Sequence, residues 1–389
     1  MGKLVVASAQ QQMRLFDSPD SYRKDLSRFL HMARAKGAEL IVFPALAGVM
    51  AASYKVEGFR MSLLKQADER QRGKSSFLTR TRSALAGSTA TLLGASFRRA
   101  FLQLLQADAT GLATAYEKLF SNLAKVYEIT VVAGSAYVPD VAGVIRHRTT
   151  VFGPDGSVLG RHDKMALSRE DEGLATAGDA WHVVATPVGR LGILLGEEAL
   201  YPEAGRVLAY QGADLLVTLA AAGNDALAAY VRQGTIARAQ ENRCFAMTSF
   251  LVGKNHLTPD DGSVTTFVGK SGIYAPLEMT PRHSGIMVEM GTSEAEGLLT
   301  AELDRNALHN LWETGVEPVR RRMPMGLFAS YLPALYSSGR TLAEAWPGTE
   351  KETPPSLGLP APAAEPDDIK TASEATLDRP ADNGAEHAQ

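Results

Sequence analysis

Cysteine is nearly absent: the 389 residues contain one, Cys244. That excludes an internal disulfide framework and any zinc or iron–sulfur site built from several thiolates. No run approaches the roughly 18 uninterrupted apolar residues of a membrane span. The opening segment, Lys3-Leu-Val-Val-Ala-Ser-Ala9, is strand-like, with no basic region ahead of an apolar stretch, so no signal peptide is expected. Charge of one sign is not in excess either. The formal net charge is −3, from 40 basic and 43 acidic side chains, which makes nucleic acid a poor partner. These absences describe a soluble, cytoplasmic chain that binds no nucleic acid and is not expected at a membrane. With 45% hydrophobic residues it has enough apolar material for a large core.

What is present alternates between strand and helix patterns. Leu26, Phe29, Leu30 and Ala33 recur at a helical period. Asp17 or Ser18 with Pro19 supplies a start, and Gly37 a stop. Leu40-Ile-Val-Phe43 is a buried strand ending at Pro44. Residues 129–134, 149–152, 191–195, 215–219 and 245–250 are further strands. Pro154-Asp155-Gly156 marks a hairpin turn. Hairpins mixed with strand–helix alternation give an α/β (α+β) sandwich, not a purely parallel sheet.

Residues 347–389 are different: seven prolines, eight alanines, nine acidic residues against three basic ones, and no aromatic. They are expected to form a disordered acidic tail after a domain spanning 1–346. Inside that domain, residues 55–125 form an expected helical insertion. Its run Ser83–Phe97 carries no charge and is bracketed by Arg80, Arg82, Arg98 and Arg99. Ala86, Ala90 and Gly94 place small side chains on one face, as in close helix packing. Phe101, Leu104, Leu105, Leu112, Tyr116, Leu119, Phe120 and Leu123 then predict one or two amphipathic helices. A helical hairpin on the core is the first reading of the insertion. An oligomer interface is the second, and a peripheral membrane contact the third.

Several segments, taken in order, resemble the carbon–nitrogen hydrolase (nitrilase) superfamily. They are Ala7 with Gln10; Gly37-Ala-Glu-Leu-Ile-Val-Phe-Pro44; Gly153-Pro-Asp-Gly-Ser-Val-Leu-Gly-Arg-His-Asp-Lys164; Leu191-Gly-Ile-Leu-Leu-Gly-Glu-Glu-Ala-Leu-Tyr-Pro-Glu203 with Arg206; Gly212-Ala-Asp-Leu-Leu216; Ala237-Arg-Ala-Gln-Glu-Asn242; and Gly269-Lys-Ser-Gly-Ile273. Each is weak alone, and their collinearity carries the resemblance. It implies an α-β-β-α sandwich that commonly assembles into homo-oligomers. It also implies a site where a glutamate base, a lysine and a cysteine nucleophile, with a second glutamate, attack an amide or nitrile carbon.

On that pattern Lys164 matches the lysine and Glu172 the second glutamate. The base position holds Ala45 and the nucleophile position Gly196. A methyl group and a hydrogen can neither accept a proton nor form a thioester, so the resemblance implies a pseudoenzyme. Lys164 is then expected to pair with Glu172, and Gly196 to relax a strained elbow. Glu197 and Glu198 flank the elbow as possible pocket residues, Glu198 in an architectural role. A displaced active constellation around Lys164, Glu172 and Glu197 is the competing reading. Cys244, Ser249 and Ser271 are expected to be packing or turn residues. His147, beside Arg146 and Arg148, and His162 and His182 are expected to be solvated or satisfied. No metal or cofactor is expected. The expected partner is a second copy of the chain, with a small amide or carboxylate as a possible ligand.

Overall fold

The computed structural model describes residues 2–56, 58, 97–258, 265–315 and 319–339. Most of the expected insertion and the whole expected tail, with the Ser83–Phe97 spacing, lie outside the described residues. The chain divides into two compact units, 1–321 and 322–389, and among the described residues the first holds every strand.

Among the described residues fourteen strands form one connected network. They are β1 (Lys3–Gln12), β2 (Leu40–Val42), β3 (Thr130–Val132), β4 (Ala136–Pro139), β5 (Ile145–Phe152), β6 (Val158–Asp163), β7 (Val184–Thr186), β8 (Gly189–Leu195), β9 (Leu215–Ala221), β10 (Phe245–Lys254), β11 (Thr266–Phe267), β12 (Gly272–Tyr274), β13 (Ile286–Glu289) and β14 (Gly297–Asp304). The main order is β4-β5-β3-β2-β1-β10-β9-β8-β7. Strand β1 joins the two halves. It runs parallel to β2 through Val6–Ser8, and parallel to β10 at Gln11 and Gln12. Both halves are mixed: β8, β9 and β10 are parallel, while β5–β6 and β1–β14 are antiparallel.

The helices are amphipathic covers. Helix α1 (Pro19–Ala35) starts at an Ser18 N-cap bonded to the Ser21 amide and has Pro at its first position. It buries Tyr22, Leu26, Phe29, Leu30 and Ala33, the face its period predicts. Gly37 then turns the chain at φ 76. Helix α2 (Phe97–Tyr127) breaks at Asp108 (φ −147, ψ 48), whose carboxylate accepts from the Gly111 amide and so caps the second half. This resolves "one or two helices" as two joined at a kink. Its buried face includes Phe101, Leu104, Leu105, Leu112, Tyr116 and Phe120. Helices α3 (Pro202–Tyr210) and α4 (Asp225–Asn242) cover the β8–β10 half, and α5 (Arg305–Thr314) follows β14. Cys244 is fully buried in an apolar cluster with Leu194, Ala239 and Phe250, a core residue as expected. Ser249 donates to the carbonyls of Ala9 and Val42, and Ser271 accepts from the Phe250 amide, so both stitch strands together.

Candidate functional site

Three chain turns meet at one point. The first follows β2: Pro44 leads to Ala45 and then to Leu46, which sits at φ 61 with its amide donating to Ser135 Oγ at 2.9 Å. The second is the end of the β5–β6 hairpin, built on Pro154-Asp155-Gly156 with Gly156 at φ 83. The hairpin delivers Lys164, whose amide bonds to the His147 carbonyl at 2.8 Å. The third is the end of β8, five consecutive buried residues (Leu191–Leu195) stopping at Gly196. Gly196 takes φ 58, a left-handed conformation that costs L residues about 1–2 kcal/mol. A Cβ there would meet nothing nearer than Lys164 Nζ at 3.8 Å, so the glycine serves backbone conformation, not space.

Ala45, Lys164, Gly196 and Glu197 border one small cavity, together with Tyr137, His147 and Asp171. Its volume is about 30 Å³, room for one or two waters. The residues matched to base, lysine and nucleophile positions are therefore neighbours in space.

Lys164 is buried and doubly paired: Nζ lies 2.8 Å from Asp171 Oδ2 and 3.1 Å from Glu197 Oε2. Glu172 is not its partner, contrary to the sequence expectation. Its side chain is exposed and does not border the cavity. The reason is a short 3₁₀ turn, Arg169–Asp171, which the Asp171 carboxylate closes by accepting from the Ser168 amide and hydroxyl. That turn points residue 171 inward and residue 172 out. The Ser168-x-x-Asp171 spacing of a capping box was the available signal.

Asp171 is the hub. Oδ2 accepts from Lys164 and Ser168, while Oδ1 accepts from His147 Nδ1 at 2.7 Å and from the Tyr137 hydroxyl at 3.0 Å. Burial pushes its pKa up, but the His147 and Lys164 charges and hydrogen bonds outweigh that and hold it far below the usual carboxylate range. Lys164 shows the mirror case: burial lowers its pKa, and the Glu197 and Asp171 charges more than reverse this. His147 Nε2 meets Ser135 Oγ at 2.7 Å. The line Ser135–His147–Asp171 has the connectivity of a serine-hydrolase triad. Ser135 is fully buried, however, and does not border the cavity, so a substrate carbonyl has no route to its hydroxyl.

Beside this hub, Glu198 is fully buried and holds the elbow. It accepts from the Leu195 amide at 2.7 Å, the Met165 amide at 2.7 Å and His162 Nε2 at 2.8 Å. Burial opposes its ionisation, yet His162 and the two amides lower its pKa. Its architectural role is thus direct, and His147 and His162 are both satisfied. Arg146 and Arg148 are each paired, with Asp140 and Asp163. Among the described residues no group of three or more His, Cys, Asp or Glu is placed to hold a metal. No described helix is long and apolar enough to cross a membrane.

The chain is similar to several known proteins. The chain is 28% identical over 223 residues to an omega-amidase NIT2-A of Xenopus laevis, covering 54% of this chain and 74% of that one. It is 26% identical over 201 residues to a probable hydrolase YhcX of Bacillus subtilis, of which it spans only 38%. It is 29% identical over 163 residues to a deaminated glutathione amidase of Synechocystis, of which it spans 58%. Among solved structures, a carbon–nitrogen hydrolase from Helicobacter pylori superposes with a TM-score of 0.60, covering 83% of this chain and 96% of that one at 18% identity. Saccharomyces cerevisiae Nit3 superposes at 0.55, covering 82% and 97% at 18% identity. These two likenesses establish the fold. The carbon–nitrogen hydrolase profile matches residues 5–311, and the chain belongs to that family.

Proposed function

We propose that this protein is a family member that does not hydrolyse C–N bonds and acts as a binding or assembly protein. The observation that carries the reading is the neutralised lysine. An ammonium that stabilises a developing oxyanion must be available to it. Here Lys164 is taken by Asp171 and Glu197, in a cavity of about 30 Å³ whose other corners are Ala45 and Gly196. Among the described residues that wall carries no thiol, and its hydroxyls, on Tyr137 and Ser168, are bonded to Asp171. The surplus of carboxylates also disfavours a carboxylate ligand at Lys164.

The competing reading, hydrolysis by Lys164, Glu172 and Glu197, loses Glu172 to solvent. Glu197, 24% exposed at its side chain, is the group on which that reading now depends.

Assembly with a second copy is supported by the turn before α3 and by α3 and α4 themselves, where Leu200, Tyr201, Val207 and Tyr230 are exposed at 37%, 47%, 40% and 64%. Light scattering that finds a monomer at micromolar concentration removes that part. For the chemistry, the purified chain is incubated with short amides, nitriles and N-carbamoyl compounds and examined by intact mass. The expected spectrum has no acyl adduct, and an adduct on any residue overturns the reading.

A further inference from the structure

Arg98 stands at the start of helix α2, one of the arginines that bracket the uncharged run 83–97 in the sequence. Its guanidinium is spent on three backbone carbonyls. Nη1 donates to Glu170 and to Leu257, each at 3.1 Å, and Nη2 donates to Glu172 at 3.0 Å. One side chain therefore ties the start of α2 to the loop carrying Asp171 and to the loop between β10 and β11.

The Glu170 and Glu172 carbonyls flank Asp171. From within, this turn is closed by the Asp171 carboxylate, which accepts from Ser168, Lys164, His147 and Tyr137. Arg98 closes it from without. Carbonyls at the end of a short helical turn lack partners inside it, and a planar guanidinium can meet several at once. An ammonium is a point donor without that fork.

The residue before Arg98 is firmly seated. Phe97 is buried, stacks on Phe101 with ring centroids 6.0 Å apart, and meets His256 edge-on at 6.3 Å. Farther along the same helix face the fit to the loop is open. Leu102, Leu105 and Gln106 line a groove of about 370 Å³ with Ile145 and the 173–176 segment. The tie between α2 and this loop is thus concentrated at Arg98.

We infer that Arg98 is a positioning residue, which holds the 168–173 loop in the conformation that puts Asp171 on Lys164. Helix α2 thereby latches the buried lysine to its fully enclosed counter-charge; the other, Glu197, is 24% exposed. Without the latch the loop opens, Asp171 leaves with it, and Lys164 faces the cavity with Glu197 alone. The inference rests on the neutralised lysine of the proposed function. Its readouts are backbone exchange and amine chemistry, so turnover by the native chain would overturn that reading and leave these readouts in force.

The test follows amide exchange and lysine acylation in the full chain, native and with Arg98→Met or Arg98→Lys. The amides of Leu174 and Ala175, both bonded to the Asp171 carbonyl, report the loop. Those of Leu215–Ala221 in β9 report the sheet. Acylation of Lys164 by an acetyl N-hydroxysuccinimide ester is scored by peptide mass against the exposed Lys24. In Arg98→Met the loop amides and Lys164 are expected to react at least about tenfold faster, the factor that one hydrogen bond from a charged group carries. Rates in β9 and at Lys24 stay unchanged. Arg98→Lys, which keeps the charge and loses the fork, is expected between Arg98→Met and the native chain. If circular dichroism shows that Arg98→Met does not fold, Arg98→Lys decides alone, by a rise confined to the loop and Lys164. Equal rates in native and variant chains overturn the inference. So does a quickening shared by β9, or an Arg98→Lys chain that behaves as Arg98→Met.

Discussion

Asp171 grips Lys164 at 2.8 Å with one carboxylate oxygen and His147 at 2.7 Å with the other. Lys164 is thereby built into a buried network that also ties the β5–β6 hairpin to the loop after it. Breaking a buried pair from one side leaves the other charge without a partner, which is far more costly than never having had the pair.

Asp171→Asn is the sharpest break. It removes the charge facing Lys164 and weakens the hydrogen bonds that the buried His147 and Tyr137 make to the carboxylate. A loss of about 3–5 kcal/mol is expected from urea denaturation, with the slope unchanged.

The same network sets the pH response. Asp171 is held below its unfolded pKa, so its contribution is full above about pH 5 and is lost as pH falls below roughly 4. Lys164 is held above its unfolded pKa, so its contribution is full below about pH 10 and is lost only as pH rises through its folded value. Stability should therefore be flat across neutral pH and fall on the acid side. Asp171→Asn should flatten that acid limb, as followed by thermal unfolding from pH 3 to 7.

Ser135→Ala tests the inner end of the line. It leaves the Leu46 amide and His147 Nε2 buried without partners and should cost about 2–4 kcal/mol at roughly 1–2 for each. Ser135→Thr, which keeps the hydroxyl, should recover part of that loss in the same denaturation experiment.

Gly196→Ala isolates backbone strain. The site has room for a methyl, so the expected cost is only the left-handed conformation, about 1–2 kcal/mol. A larger loss in thermal unfolding would mean that the cavity tolerates no added atom.

Much of the frame was legible because it is local. Ser18, Pro19 and Gly37 bound α1 through contacts a few residues apart, and Pro154-Asp155-Gly156 sets a hairpin that delivers Lys164. Ala45, Lys164 and Gly196 were found by their place after recognisable strands, and the cavity brings the three together. What the sequence hid is nonlocal or turns on one residue. His147 with Asp171, and His162 with Glu198, meet across 24 and 36 residues, and no spacing rule announces such pairs. The long antiparallel pairing of β1 with β14 joins the two ends of the domain. The choice between Asp171 and Glu172 rests on a single 3₁₀ turn, where an error of one position exchanges a buried charge for a solvated one.

Ammonia release from short amides, followed for the native chain beside Glu197→Gln and Lys164→Met, addresses the central claim most directly. The neutralised-lysine account predicts no release above the buffer rate in any of the three. Release by the native chain that disappears in Glu197→Gln would contradict it, and would make Glu197 the base of a working hydrolase.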